Sequence, residues 1–371
     1  MVKSGMRGGA NAFAMMLAGG MVAALPATAQ AVAGRTLGLH EQAALSIALS
    51  VGAFASAILN AALLESRLTD QTVSAPTYIP HWSVALGTAA SIALAIAPDT
   101  IFVICIAVPI LQVALFLGRT HSVVINDRNV ELSSAALLAA GCVASFVLGW
   151  AESHYAFMPL AIGAGAAILL RGISAWRLSP PPVTAPTVAW VTSETAIVAL
   201  TPIVLNVTVL VLLGPAQAVA FRLVLTVLGV LQPVLGYMRT RLLASPSPKL
   251  VTATYLLSAI ALACVILAHV LGLFHVLFGT AWDYVSLAAL AWACLWKILT
   301  IPETVPFARM RRQGHVSRVF VARSISTACF VALGSIGAAT GSSTAVVFLA
   351  FTIAQVITVL LYSALARARS T

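Results

Sequence analysis

Charge is what this sequence has least of. Only 8% of its 371 residues are Asp, Glu, Lys or Arg, whereas 61% are hydrophobic, and the mean hydropathy is +1.03. Water-soluble domains carry roughly 25% charged residues, so the composition excludes a soluble globule and makes the bilayer the solvent. Acidic residues are scarcest, 10 against 20 Lys and Arg, for a net charge of +10. CxxC spacing is absent: Cys105, Cys142, Cys264, Cys294 and Cys329 all sit in apolar stretches, which argues against a disulfide framework or a metal site. Long hydrophilic stretches are also missing, which leaves no room for a soluble domain. No cofactor motif is present.

What charge there is falls in a pattern. Most of the 20 basic residues occupy every second gap between apolar segments: Lys3 and Arg7; Arg67; Arg119 and Arg128; Arg171 and Arg177; Arg239, Arg241 and Lys249; Arg309, Arg311, Arg312 and Arg318; Arg367 and Arg369. The intervening gaps hold Arg35 alone. Basic residues are retained in the cytoplasm during insertion. The alternation therefore predicts a multi-pass membrane protein with both termini cytoplasmic. In a soluble protein such a charge would suggest nucleic acid; here insertion and anionic membrane lipids account for it, and nucleic acid is not expected as a partner.

Apolar runs bounded by charge, Pro or Gly predict helices near 11–33, 43–65, 82–97, 101–117, 134–150 and 156–171, then 191–213, 217–238, 250–278, 283–305, 319–339 and 344–365. Each approaches the ~20 residues needed to span a bilayer. Lys3 and Arg7, the apolar run that follows, and Pro26-Ala27-Thr28-Ala29-Gln30-Ala31 imitate a cleavable leader. The run continues to Ala33, enough to cross, and a retained first helix is expected.

The fold class expected is an all-α integral membrane protein of about twelve transmembrane helices in two six-helix lobes, related by a pseudo-two-fold axis along the membrane normal. The lobes are 1–175 and 191–371, joined by a cytoplasmic linker at 176–190 that carries Ser179-Pro180-Pro181-Pro182 and Pro186. A shift of 176 residues sets Leu37-Gly38-Leu39 and the following helix against Leu213-Gly214-Pro215 and its helix, and the first helix against the seventh. Six helices per half is an even number, so both halves enter the membrane in the same direction.

Three cations lie inside apolar segments: Arg222, Lys297 and Arg323. A charge near the bilayer centre costs at least about 2.5 kcal/mol, so it faces a cavity or a partner, or snorkels to the headgroups. Arg222 is expected ~10 Å into the membrane below Pro215, and Lys297 ~21 Å in from Asp283. Arg323, close to Arg318, is within reach of the headgroups. Glu194 is a candidate for ion coupling or pairing, with a first-turn Glu favoured by the helix dipole as the simpler reading. Glu303, six residues after Lys297, is a second candidate, on the wrong face to pair with it. Pro302 and Pro306 flank that Glu and predict a bend or break suited to gating. His269 and His275 read as interfacial, and Trp82, Trp150, Trp190 and Trp282 as an aromatic belt.

Three stretches then resemble the polysaccharide (O-antigen type) flippases of the multidrug/oligosaccharidyl-lipid/polysaccharide exporter superfamily. Ala33-Gly34-Arg35-Thr36-Leu37-Gly38-Leu39-His40-Glu41-Gln42 looks like that family's outer turn after the first helix, and Val211-Leu212-Leu213-Gly214-Pro215-Ala216-Gln217 like the turn opening the second half. Phe307-Ala308-Arg309-Met310-Arg311-Arg312-Gln313-Gly314-His315 looks like its cytoplasmic link between helices ten and eleven. The resemblance implies two lobes around a central cavity of alternating access. The cargo implied is a polyprenyl-pyrophosphate-linked oligosaccharide turned over from the cytoplasmic to the outer leaflet of a bacterial inner membrane, with membrane lipids and other polysaccharide-assembly membrane proteins as partners. Arg222, Lys297 and Arg323 would attract the anionic headgroup. Alternatives are a peptidoglycan-precursor flippase, a small-molecule exporter of the same superfamily, a membrane polysaccharide polymerase or ligase, and a scaffold subunit without transport. An enzyme is not expected, because the outer gaps hold only Arg35, His40, Glu41, Asp99, Glu152, His154 and Asp283 in short turns.

Overall fold

The computed structural model describes residues 21–65, 81–125, 127–175, 185–232, 234–235, 238–239, 242, 248–313 and 315–367. Every expected apolar segment is helical within these residues. The chain runs through α1 (21–36), α2 (Leu39–Asn60), α3 (His81–Ile96), α4 (Ile101–Ile125), α5 (Arg128–Trp150), α6 (Met158–Ala175) and α7 (Ala185–Leu213). It continues through α8 (Pro215–Leu228), α9 (Pro248–Val270), the short α10 (Leu273–Phe278), α11 (Leu287–Arg312), α12 (Val316–Thr340) and α13 (Thr344–Arg367). Among the described residues, 8 helices are long and apolar enough to cross a membrane. The chain is an all-α, multi-pass membrane protein. The start of the first helix and the Ser179–Pro182 linker lie outside the described residues.

Boundaries moved where local chemistry outweighed hydropathy. The run expected at 250–278 divides at Gly272, whose φ of +73° is the left-handed conformation that glycine adopts without penalty and that ends α9. The segment expected from 283 starts at Leu287, because Gly279–Tyr284 forms a 3-10 turn and the Ser286 hydroxyl caps α11 by accepting from Ala289 N. The segment expected at 217–238 leaves α-helical geometry at Leu228 and passes through a 3-10 turn, Gly229–Leu231. α7 begins at Ala185, within the stretch expected as linker.

Two compact units are present, Met1–Ala199 and Leu200–Thr371. In the N-terminal unit α2 packs on α4, α3 on α4 and α6, and α5 on α6. Its core holds Leu25 and Val32 of α1, Leu45 and Leu49 of α2, Ile104, Leu111 and Leu115 of α4, and Leu160 of α6. α5 and α6 approach backbone to backbone: a Cβ placed on Gly141 would stand 2.7 Å from the Pro159 carbonyl oxygen and 3.0 Å from Gly163 Cα. Close packing of this kind substitutes for the hydrophobic drive that lipid does not supply. Hydroxyls in the dry interior return to their own helix, as when Ser46 and Ser50 of α2 donate to the carbonyls of Gln42 and Ser46.

In the C-terminal unit α13 packs against α11 and α12, and α8 contacts α11 and α13. Phe221, Trp296, Phe330, Phe348 and Phe351 form its aromatic centre, the Phe221 and Phe348 rings stacked at 5.3 Å. Large apolar side chains such as Ile96, Phe102, Ile173 and Val211 are more than two-thirds exposed. That pattern suits hydrocarbon as the surrounding medium. The repeat read from the sequence has a structural counterpart, since α2 and α8 begin at equivalent positions, Leu39 and Pro215, each with a glycine N-cap, Gly38 and Gly214.

Candidate cationic site

Arg222 lies two turns into α8, ~10 Å from its start, as its distance from Pro215 requires. It is only 8% exposed, flanked along the chain by the fully buried Phe221 and by Leu223. Its repeat equivalent, Ser46, is also buried. The two residues differ in charge, which makes the cation a property of the C-terminal unit alone.

Lys297 sits ~15 Å along α11, because that helix starts at Leu287 and not at Asp283. The position remains close to the middle of the span. Its ammonium lies 4.2 Å from the centroid of the Trp296 ring, within cation–π range. That ring in turn meets Phe330 of α12 and Phe348 and Phe351 of α13. The aromatic centre thus holds a cation in mid-span.

Glu303 does not meet Lys297. Its carboxylate accepts a 2.6 Å hydrogen bond from Gln355 Nε2 of α13, and that amide also donates to the Leu299 carbonyl. Arg323 and Arg239 act electrostatically on the same carboxylate. Arg323 is turned toward Phe307, its Cζ 4.7 Å from the ring centroid. The structure therefore groups Arg323 with Glu303 at the basic end of α11, and leaves Lys297 with Trp296. α11 runs unbroken through Pro302 and Pro306 to Arg312, so of the bend or break expected there the break is not present. Side chains on α13 bond this helix, Gln355 donating to Leu299 O and Thr352 to Trp292 O.

Glu194 is not a first-turn residue. With α7 starting at Ala185, it stands more than two turns inside and is 2% exposed. Trp282 likewise departs from the aromatic belt: it is buried and donates a 2.9 Å bond to His269 Nδ1, whereas Trp82, Trp150 and Trp190 are exposed. His275 bonds the Asp283 carboxylate at 3.0 Å in an exposed pair.

One charged group escaped the sequence reading altogether. Arg171, counted there with loop cations, is buried inside α6 at 1% exposure, and donates to Glu131 of α5 at 2.8 Å and to the Leu115 carbonyl of α4. Arg119 of α4 approaches the other oxygen of Glu131 at 3.7 Å. Glu131 follows the Asp127 N-cap by one turn, and reads as part of a polar loop until α5 is seen to begin at Arg128. The available signal was a carboxylate at the edge of a basic gap, just before an apolar run, in a chain poor in carboxylates.

No family model and no curated protein matches the chain. Solved structures do. The inward-facing conformation of a multidrug resistance MATE family transporter of the MOP superfamily superposes with a TM-score of 0.57 at 11% identity, over 96% of this chain and 98% of that one. MATE in the straight conformation gives 0.53 at 14% identity, over 96% and 94%. An outward-facing multidrug resistance MATE family transporter gives 0.51 at 12%, again over 96% and 94%. The fold is MATE-like. At these identities the likeness concerns the fold alone; two of these three structures are described as multidrug resistance MATE family transporters. The MATE-like fold agrees with the all-α membrane fold expected from the sequence.

Proposed function

We propose that this chain is a transporter of alternating access that turns over an anionic, polyprenyl-pyrophosphate-linked oligosaccharide from the cytoplasmic to the outer leaflet. The observation that carries the reading is the sign of the buried charge. Residues 200–371 contain two carboxylates, Asp283 and Glu303. The first is engaged with His275 and the second with Gln355, while within the spans Arg222 is buried and Lys297 partly buried. A pyrophosphate entering such a region exchanges hydration for fixed positive charge. The transporter makes and breaks no covalent bond; it redistributes cargo by having two conformations that expose one site differently.

Orientation follows from the basic gaps, with both termini cytoplasmic, and the resemblance to the polysaccharide flippases implies a bacterial inner membrane. Membrane lipids and other polysaccharide-assembly proteins are the partners of this reading. Arg222 and Lys297 would bind the headgroup, and the segment around Pro302 and Pro306 would flex between states.

The test is translocation of a fluorescent polyprenyl-pyrophosphate oligosaccharide in proteoliposomes, with Arg222→Ala and Lys297→Ala compared at matched insertion. Activity of the native chain that falls at least tenfold in both variants supports the reading. Native activity that both variants retain removes these residues from the site, and absence of native transport across a panel of such lipids sinks the reading.

The fold likeness to multidrug resistance transporters favours a second reading, export of a small molecule. The same charge distribution then selects an anionic or neutral compound, since a cationic drug would meet Arg222 and Lys297.

A further inference from the structure

Three guanidinium groups from separate segments of the C-terminal unit converge on one ring. The Cζ atoms of Arg323, Arg239 and Arg311 lie 4.7, 4.8 and 5.8 Å from the centroid of Phe307. Phe307 is 4% exposed, packed in an apolar cluster with Met238, Ile301, Met310, Val319 and Tyr362. The three arginines are only partly buried. The ring is thus a rigid floor, and the guanidinium groups are its charged rim.

Gathering like charges in a partly dry place is unfavourable unless something negative lies among them. The face of the ring supplies a little of that. Glu303, one turn before Phe307 on the same face of α11, supplies one full charge, on which Arg323 and Arg239 act. The one other carboxylate of residues 200–371, Asp283, is paired with His275 before α11 begins. Arg239 and Arg323 therefore both act on Glu303, and Arg311 adds a third cation at the same ring. Guanidinium is the side chain whose planar fork matches phosphate oxygens two at a time, and it stacks on aromatic rings while doing so. Depth agrees with that chemistry: Phe307 lies near the last turn of α11 and Arg323 two turns into α12, so the cluster sits at one end of the spans, where phosphate headgroups lie.

We propose that Arg239, Arg311 and Arg323, gathered round Phe307, form a phosphoryl-binding site at the basic end of the C-terminal unit. It is separate from the mid-span cation, since Lys297 precedes Phe307 by ~15 Å of helix. The phosphoryl group comes from an anionic membrane phospholipid or from free pyrophosphate. The site does not depend on the transport reading above.

Two probes applied to the full-length protein decide the matter and distinguish the sources. Binding of radiolabelled inorganic pyrophosphate is measured in detergent micelles, and retention of phosphatidylglycerol over phosphatidylcholine in nanodiscs by native mass spectrometry. The native chain is expected to bind at least one of them saturably. Arg239→Gln combined with Arg323→Gln should weaken that binding at least tenfold, and Arg311→Gln, a milder change that keeps the proposal testable if the double variant fails to fold, about threefold. Retained phosphatidylglycerol with weak pyrophosphate binding identifies a lipid headgroup; the converse identifies a free anion. Absence of saturable binding of either probe, or binding undiminished in both variants, overturns the proposal. Translocation of lipid-linked cargo in the same preparations is a separate readout: binding without transport leaves this site standing and removes the flippase reading, and transport with no binding here does the reverse.

Discussion

Arg171 Nη2 lies 2.8 Å from Glu131 Oε2, and both side chains are essentially inaccessible, at 1% and 0% exposure. The pair joins α6 to α5, and a bond from Arg171 to the Leu115 carbonyl adds α4. Gly118 of α4 leaves room for the Arg171 stem, since a Cβ there would stand 2.9 Å from its Cδ.

Breaking one side of a buried ion pair strands the other charge, at a cost of about 3–5 kcal/mol. Glu131→Ala should therefore lower the thermal unfolding temperature of the detergent-solubilised protein clearly. Glu131→Leu with Arg171→Met, which removes both charges, should recover most of the loss. If Glu131→Ala unfolds at the native temperature, the pair is not a structural fastener.

The contact between Gly141 and Gly163 leaves no space for a side chain. Gly141→Leu should force α5 and α6 apart and cost about 1–3 kcal/mol, seen as a lower unfolding temperature or lower yield of monodisperse protein. An unchanged unfolding temperature would mean that the two helices separate freely.

Lys297 rests on Trp296. A cation–π contact out of water contributes about 1–2 kcal/mol, so Trp296→Leu should weaken apparent cargo affinity roughly five- to thirtyfold in the proteoliposome assay. Lys297→Arg should retain transport better than Lys297→Ala. Equal loss in the Arg and Ala variants would show that the charge is not what matters at this position.

Membrane orientation is open to a labelling test in a background lacking the native cysteines. Gln313→Cys, exposed after α11, should react with an impermeant thiol reagent only when the cytoplasmic side is accessible, and Thr280→Cys, exposed before α11, only from the outside. The reverse pattern would invert the topology read from the basic gaps.

Hydropathy located every span because burying a backbone in lipid demands a continuous helix of fixed length, and a run of some twenty apolar residues satisfies that demand by itself. It misplaced boundaries at Gly272 and Ser286, where a left-handed glycine and a hydroxyl cap set helix limits within stretches that remain apolar. Arg222 and Lys297 were legible as cations inside apolar runs. Arg171 was not, since it stands at the end of its run and resembles a loop residue until Glu131 is seen beside it.

The sequence by itself determined the medium, the place and order of the apolar helical segments, and the sign of the charge buried in residues 200–371. Those properties depend on composition and on distance along one strand of chain. Tertiary structure decided the company each charge keeps: Arg171 with Glu131, Lys297 with Trp296, Glu303 with Gln355, and three arginines with Phe307. Helices in a bilayer are apolar on nearly every face, so hydropathy does not set how each one is rotated. Close packing at positions such as Gly141 and Gly163 sets that rotation, and with it which side chains meet.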